Sequence, residues 1–387
     1  MQSQIYGPGL ARRRRPWLIA APLALVVILA LAWTGFWFYA ASRASATIAG
    51  WRAREAEAGR VHSCGQQTIG GYPFRIEVHC SEPAATFQTL APPLMLSARD
   101  AVVAAQVYDP TLLIGEFNGP LSVGDVGKTP ALSANWSLAQ VSVRGTPAAP
   151  QRVSIAIDRP ELSRLARGAM EPVAAAEHVE LHGRIAAGSV TDNPTIELVL
   201  RLTAAAAPDL MPLAAQPTDG EITARLTGLK DFTPKPWAAR LREIQAAGGR
   251  IDITGARFVQ RDILAVGSGT LALNPSGRLD GQIIVTVAGL EKLMALLGAD
   301  QALAQYLAQK TGGLTVDKLA SSLDKLMPGL GGAVRGNSGA NLAAAGIGML
   351  GEPRDLEGRR AVSLPLRFTN GAAFLGPIPI GQVAPLF

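Results

Sequence analysis

The residues best suited to chemistry are scattered along the chain, and no spacing among them assembles a reaction centre. His178 and His182 stand four apart, the separation at which two imidazoles on one helix face chelate zinc. Here His178, Glu180 and His182 alternate with Val179 and Leu181, so the segment predicts a strand whose imidazoles project to solvent. A tight zinc site needs at least a third converging ligand, and no other histidine or cysteine is near in sequence. Lys310-Thr311-Gly312 and Ser322-Leu323-Asp324-Lys325 match two elements of the penicillin-binding serine enzymes, and Ser133-Ala134-Asn135 echoes the third. Those enzymes place the serine element first and Lys-Thr-Gly last, the reverse of the order here. Gly127-Lys128-Thr129 ends like a phosphate loop, but Ser122 replaces the leading glycine and Pro130 blocks the helix that should follow. Gly346-Ile347-Gly348-Met349-Leu350-Gly351 fits a dinucleotide pattern without a strand before it, and Pro353 interrupts any helix behind it. Arg75, Arg99, Arg144 and Arg152 offer contacts to anionic lipid head groups, or are the solvated face of strands, the commoner arrangement. The chain therefore does not read as an enzyme, and no catalytic residue, cofactor or metal site is expected.

The elements that would position these residues begin with a membrane segment. Residues 17–42 carry no charge and are dominated by Leu, Ala, Val, Ile and aromatics. A bilayer core needs roughly 20 apolar residues, and a single run can cross it only as a helix, because every backbone polar group must be paired internally. Arg12, Arg13, Arg14 and Arg15 precede the run, so residues 1–16 form a basic arm left in the cytoplasm. Trp33, Phe36, Trp37, Phe38 and Tyr39 gather at the opposite end, as amphipathic rings do at an interface. Ala44-Ser45-Ala46 leaves a cleaved secretory signal as the competing reading. The apolar run is about twice the roughly 7 to 15 residues such signals use, which favours an uncleaved anchor in the inner membrane with the body in the periplasm.

Net charge is +6, and four of the 36 basic residues sit in the arm. The remainder is nearly balanced, so the basic excess marks topology and not a nucleic-acid face. Cys64 and Cys80 are the only cysteines. In an oxidising compartment they predict a disulfide, with Gly70-Gly71-Tyr72-Pro73 as the turn that brings them together, against the alternative of two reduced, buried thiols.

Residues 43–60 predict a stalk helix rich in Ala, Arg and Glu, stopped near Gly59. From residue 61 to 387 the text becomes strands. Phe74, Ile76, Val78 and Cys80 alternate with polar residues, as do Val153, Ile155 and Ile157, and Ile196, Leu198, Leu200 and Leu202. Asn274-Pro275-Ser276-Gly277 marks a hairpin. Helices are predicted over 236–247, with Trp237, Leu241 and Ile244 on one stripe, and over 290–310 and 316–327. Residues 328–353 read as a loop or as a loose, lipid-friendly helix. The proline-rich tail suits edge strands or an extended finish better than a central ladder. The fold class is α+β and β-dominated: one elongated, curved antiparallel sheet, with a few helices against it, behind one transmembrane helix.

The span, the motif Gly71-Tyr72-Pro73-Phe74-Arg75, the unit Gly267-Ser268-Gly269-Thr270-Leu271 with Gly277-Arg278-Leu279-Asp280-Gly281, and the Gly376-Pro377-Ile378-Pro379 tail resemble one family. It is an uncharacterised alphaproteobacterial domain-of-unknown-function family of membrane-anchored envelope proteins. The last third is also similar to AsmA-like proteins, a likeness that implies a role in envelope lipid transport. Neither resemblance supplies catalytic residues. Two functions follow as expectations: an apolar groove that binds or passes membrane lipid, or a scaffold offering sheet edges to other envelope proteins.

Overall fold

An uncharged run of good helix formers leaves the backbone no better partner than itself. Accordingly α1 (Trp17–Glu57) is a single helix of 41 residues, the one element long and apolar enough to cross a membrane among the described residues. The computed structural model describes residues 17–146, 149–209, 212–233, 235–296, 351–376 and 378–387. The basic arm with Arg12 to Arg15 lies outside them. The expected stalk is not a separate helix. Ala-rich sequence carries α1 through residue 42 without a break, and Gly59, at φ +76°, turns the chain out of it.

Strands then alternate between two sheets. β1 (Arg60–Ser63) belongs to the smaller sheet and is followed by the hairpin β2 (Gln66–Gly70) and β3 (Arg75–Ser81) of the larger. The chain returns as β4 (Ala84–Phe87) and β5 (Leu94–Ser97), and crosses again as β6 (Asp100–Gln106) and β7 (Leu112–Asn118). It repeats this with β8 (Leu121–Asp125) and β9 (Leu132–Asn135), then β10 (Leu138–Thr146) and β11 (Ala149–Asp158). The last small-sheet pair is β12 (Glu161–Ala166) and β13 (Ala169–Ala175), after which β14 (His178–Ser189) and β15 (Asp192–Ala205) return to the larger sheet. The rest stays there: β16 (Thr218–Leu226), α2 (Trp237–Ala246), β17 (Arg250–Gln260), β18 (Ile263–Leu273), β19 (Leu279–Ala288), α3 (Leu290–Leu296), β20 (Glu352–Leu356), β21 (Arg359–Thr369), β22 (Ala372–Leu375) and β23 (Ile378–Gln382). The sheets have 7 and 16 strands, all paired antiparallel.

The sheets are two arms of one folded ladder. Two-residue connectors join them, and the connectors keep pairing with each other: Glu82 N donates to Arg99 O at 2.8 Å, Ala98 N to Pro83 O at 3.0 Å, and Arg159 N to Glu177 O at 2.8 Å. Each passage from the large arm to the small one ends on a proline, Pro83, Pro120 or Pro160. Proline fixes φ near −65° and gives up one donor, which suits a bend in a strand that must not continue straight. The β-dominated antiparallel fold expected from the sequence, long enough for one sheet or two joined ones, takes the joined form. The crease is marked by these recurring prolines.

The core clusters lie toward one end. Ile263, Val287, Leu290, Leu364 and Leu375 form one, to which α3 adds Leu293 and Leu296, and Leu264, Ala288 and Ala361 form a second. The tail hairpin β22/β23 closes the large sheet and places Pro379 on an edge strand, as expected. Pro365, by contrast, occupies an interior strand. Its carbonyl accepts from Gly376 N just beyond the end of β22, and the Gly376 carbonyl that the absent N–H would have met takes the Arg367 guanidinium at 3.2 Å instead. Two residues depart from their expected faces. Phe74 stands exposed in the turn before β3, and Trp237 is 72% exposed although Leu241 and Ile244, on the same helix, are buried. α2 is instead tied down by polar groups, with the Arg240 guanidinium 2.7 Å from Glu243 and 2.8 Å from the Asp231 carbonyl. The helix expected over 290–310 is described only as α3. The one over 316–327 and the segment 328–350 lie outside the described residues, as do Lys310, Ser322 and Gly346.

Cys64 and Cys80 are joined in a disulfide that closes a loop of sequence separation 16 beside the β2/β3 hairpin. Replacing both by serine is expected to lower the unfolding free energy by about 3 kcal/mol in the chain-entropy account; denaturant titration with and without reductant measures it. Leu364 is 1% exposed, and Leu364→Ala is expected to lower stability by about 2–5 kcal/mol through transfer and cavity terms, read from the same titration.

Candidate functional site

Antiparallel pairing sets which side chains share a face, and here the register produces one wholly apolar surface. A row directly across the large sheet runs Ile69, Val78, Val103, Gly115, Val141, Ile155, Leu181, Leu200, Ile222, Ala256, Gly267, Val285 and Leu364, with no polar member. A parallel row runs from Ile76 through Ala105, Leu113, Val143, Val153, Gly183, Leu198, Ala224, Ile253, Gly269 and Ile283 to Leu366, again without a polar group. These rows face the inside of the fold. On the opposite face the register sets Thr68, His79, Val102, Glu116, Gln140, Ala156, Glu180, Arg201, Glu221 and Arg257 in line. That outer row is held by polar pairs such as Gln140 to Glu116 at 2.7 Å and Arg201 to Glu180 at 3.3 Å.

Between the arms the inner face opens into a cavity of about 680 Å³, inside the roughly 300–1,000 Å³ range of small-ligand sites. The small arm contributes Ala134, Leu162 and Ala174, and the large arm Val179, Leu200, Leu202, Ile222, Phe258 and Val285. Phe258, Ala265, Val285 and Leu366 touch both the cavity and the core cluster, so the groove is the unfilled continuation of the core. Leu181 and Ile222 stay exposed on this apolar face, at 38% and 42%. Gly220 lies in the wall, where a Cβ would meet only Leu202 atoms at 3.9 Å, an ordinary contact. No steric demand of the fold requires glycine there, and its lack of a side chain leaves the groove wide.

At the other end of the large sheet the β2/β3 turn is fastened to α1. Gly71 takes φ +94°, where a Cβ would come 2.7 Å from the Arg75 carbonyl oxygen, so the tight turn depends on glycine. Trp33 Nε1 donates to Pro73 O at 2.8 Å and Trp37 Nε1 to Arg75 O at 2.9 Å, while Thr34 and Tyr72 hydroxyls meet at 2.9 Å. Trp37 is 6% exposed, with Tyr72 edge-on against it.

The other chemical candidates are placed apart. His178, Glu180 and His182 share the outer face of β14, the strand expected for them, and are half-buried. His178 Nδ1 lies 2.5 Å from Asp158 and its Nε2 3.1 Å from Glu180, which also reaches His182 at 3.2 Å and Arg201 at 3.3 Å. Every member has a polar partner, and no group of three or more residues suited to hold a metal occurs among the described residues. Hydrogen bonds from His178 and then His182 hold the Glu180 carboxyl down at about 2, and bonds to Glu180 and Asp158 raise His178. Ser133, Ala134 and Asn135 form β9, and Lys128 pairs with Asp125 at 2.8 Å in the loop after β8. Arg75 pairs with Glu77 at 2.7 Å and Arg99 sits at the crease. Arg144 and Arg152 face each other across β10/β11.

The architecture is that of a creased antiparallel sheet enclosing an apolar groove, carried behind one helix apolar enough to span a membrane. The chain belongs to the family described as uncharacterized protein conserved in bacteria (DUF2125), which matches residues 37–384. The AsmA-like likeness of the last third is not part of that match. No curated protein matches the sequence.

The His178 pair gives a signed pH dependence. A raised His178 contributes stability below its ordinary range near 6.5 and loses it as pH rises through the folded value; a lowered Glu180 contributes above about 4.5 and loses it as pH falls toward 2. His178→Gln is therefore expected to lower Tm by a few degrees near pH 5.5 and by less near pH 9. Equal losses at both pH values in thermal melts would show the imidazole charge to be irrelevant.

Proposed function

We propose that this chain is a membrane-anchored, non-catalytic envelope protein that holds lipid acyl chains in the groove between its two sheet arms. The observation that carries the reading is the unbroken apolar register of the inner face, with Leu181 and Ile222 left uncovered beside an open cavity. An apolar surface of this extent on a monomer marks a binding site. Each methylene moved from water into such a surface contributes about 0.8 kcal/mol, so a dozen give on the order of 10 kcal/mol before the costs of association. Polar specificity is little needed for an acyl chain, which suits a lining where Glu161 and Thr218 are the exceptions and the Arg257 guanidinium is held by Glu357. The Cys64–Cys80 bridge supports a body exported to an oxidising compartment, the periplasm, with the inner membrane holding α1.

The scaffold alternative draws less support. It needs open sheet edges, and at one end of each sheet the edge strands β13 and β23 carry Pro172 and Pro379, which blunt strand addition, leaving only β1 and β2 beside α1 without proline.

The test uses the full chain in cells, with photoreactive benzoylphenylalanine replacing Leu200 on the inner face or Glu180 on the outer one. Irradiation is expected to give lipid adducts at position 200 and none at 180, by mass spectrometry. Gly220→Phe, which projects a ring into the groove, is expected to reduce the adduct roughly tenfold, the effect of displacing about 1.4 kcal/mol of contact. Equal adducts at both positions, or none at 200, would remove the lipid reading.

A further inference from the structure

We propose that the β2/β3 and β6/β7 turns of the large sheet rest on the bilayer itself, with Tyr72, Phe74 and Tyr108 inserted at the boundary between head groups and acyl chains. The inference starts from a length. Counting from Trp17, the roughly 20 residues that cross a bilayer core are used up near Phe36, well before the uncharged run ends at Ser42. The membrane boundary therefore falls at the aromatic cluster of α1. Trp33 and Trp37, in that cluster, are the residues whose indoles hold the β2/β3 turn through the Pro73 and Arg75 carbonyls. The turn is thus fixed at the level where the bilayer ends, beside a helix that crosses it.

The neighbouring turn is held at the same level, because Val107 N donates to Phe74 O at 3.0 Å. Tyr72, Phe74 and Tyr108 are 54%, 62% and 71% exposed; Tyr72 leans on Trp37 and Phe74 on Trp33, and the remainder of each ring is open at the level where such rings are stabilised by an interface. The next pair of strands along the same edge brings Arg144 and Arg152 opposite each other, with Arg144 also 3.9 Å from Asp109, which leaves a net basic group for anionic head groups. The bilayer is the occupant this patch fits, since it is continuous with the α1 segment that spans it. One consequence is that the inner apolar rows, which begin at Ile69 and Ile76 beside this turn, open at the bilayer surface. The inference rests on α1 crossing the membrane; it does not require an occupied groove.

The full chain is reconstituted in vesicles of phosphatidylethanolamine and phosphatidylglycerol, with a spin label attached at Tyr108→Cys, at Phe74→Cys, or at the crease control Glu177→Cys. Collision with oxygen, which concentrates in lipid, is compared with collision with a water-soluble nickel chelate. The expected result is a several-fold shift toward oxygen at 74 and 108 and none at 177, unchanged by Gly220→Phe. Three outcomes would overturn it. Labels at 74 and 108 as open to nickel as the control place the turns in water. Labels shielded from both reagents place another protein surface there. A chain that fails to float with the vesicles removes the anchor, and this proposal with it, while leaving the groove to be judged by its own adducts.

Discussion

Backbone amides that leave water must find partners, and among the described residues beyond α1 that demand is met mostly by antiparallel neighbours. The ladder is kept even where the chain bends, because the two-residue connectors at the crease bond to one another as strands do. Everything else follows from that continuity. Once the register is carried unbroken from β2 to β21, side-chain parity is inherited strand by strand, and one face can be apolar along its whole length. A single slipped strand would turn its apolar set outward. The bulges, such as that between Ile253 and Ala256, adjust the twist without reversing the faces.

The same continuity separates packed core from open groove. Close packing is concentrated where α3 and the last strands cover the inner face, around Leu364 and Val287. Away from that end the strands present the same kind of side chain only half-buried, with Leu181 and Ile222 left exposed. The difference between core and groove is therefore not composition but cover, and residues such as Phe258 and Val285 belong to both.

Local features were legible in the sequence, because short-range physics writes them. The charge-free run, the period-two alternation of β11 and β15, the Asn274 to Gly277 turn, the Pro236 start and Gly248 stop of α2, and the Cys64–Cys80 bridge all have the places expected of them. The strand reading of His178 to His182 also holds, since alternation with Val179 and Leu181 outweighs a helical spacing of two residues. What was not legible depends on pairing between distant segments. No alternation reveals that Leu200 and Leu162 line one cavity, and Pro83, Pro120 and Pro160 read singly as ordinary turns. The fastening of Tyr72 and Pro73 to α1 was likewise hidden, because residues some forty apart are linked there through backbone carbonyls that carry no sequence signature.

The alternation of hairpins between arms also makes the molecule modular. Each excursion from the large arm to the small one and back adds two strands to each wall, and neighbouring strands are about 4.8 Å apart. One such unit therefore lengthens the trough by about 10 Å without altering the cross-section, since the new pair docks on the last one through the same backbone pattern. Duplication or loss of a unit would change reach and capacity while leaving the two ends, one tied to a helix and the other plugged, as they are.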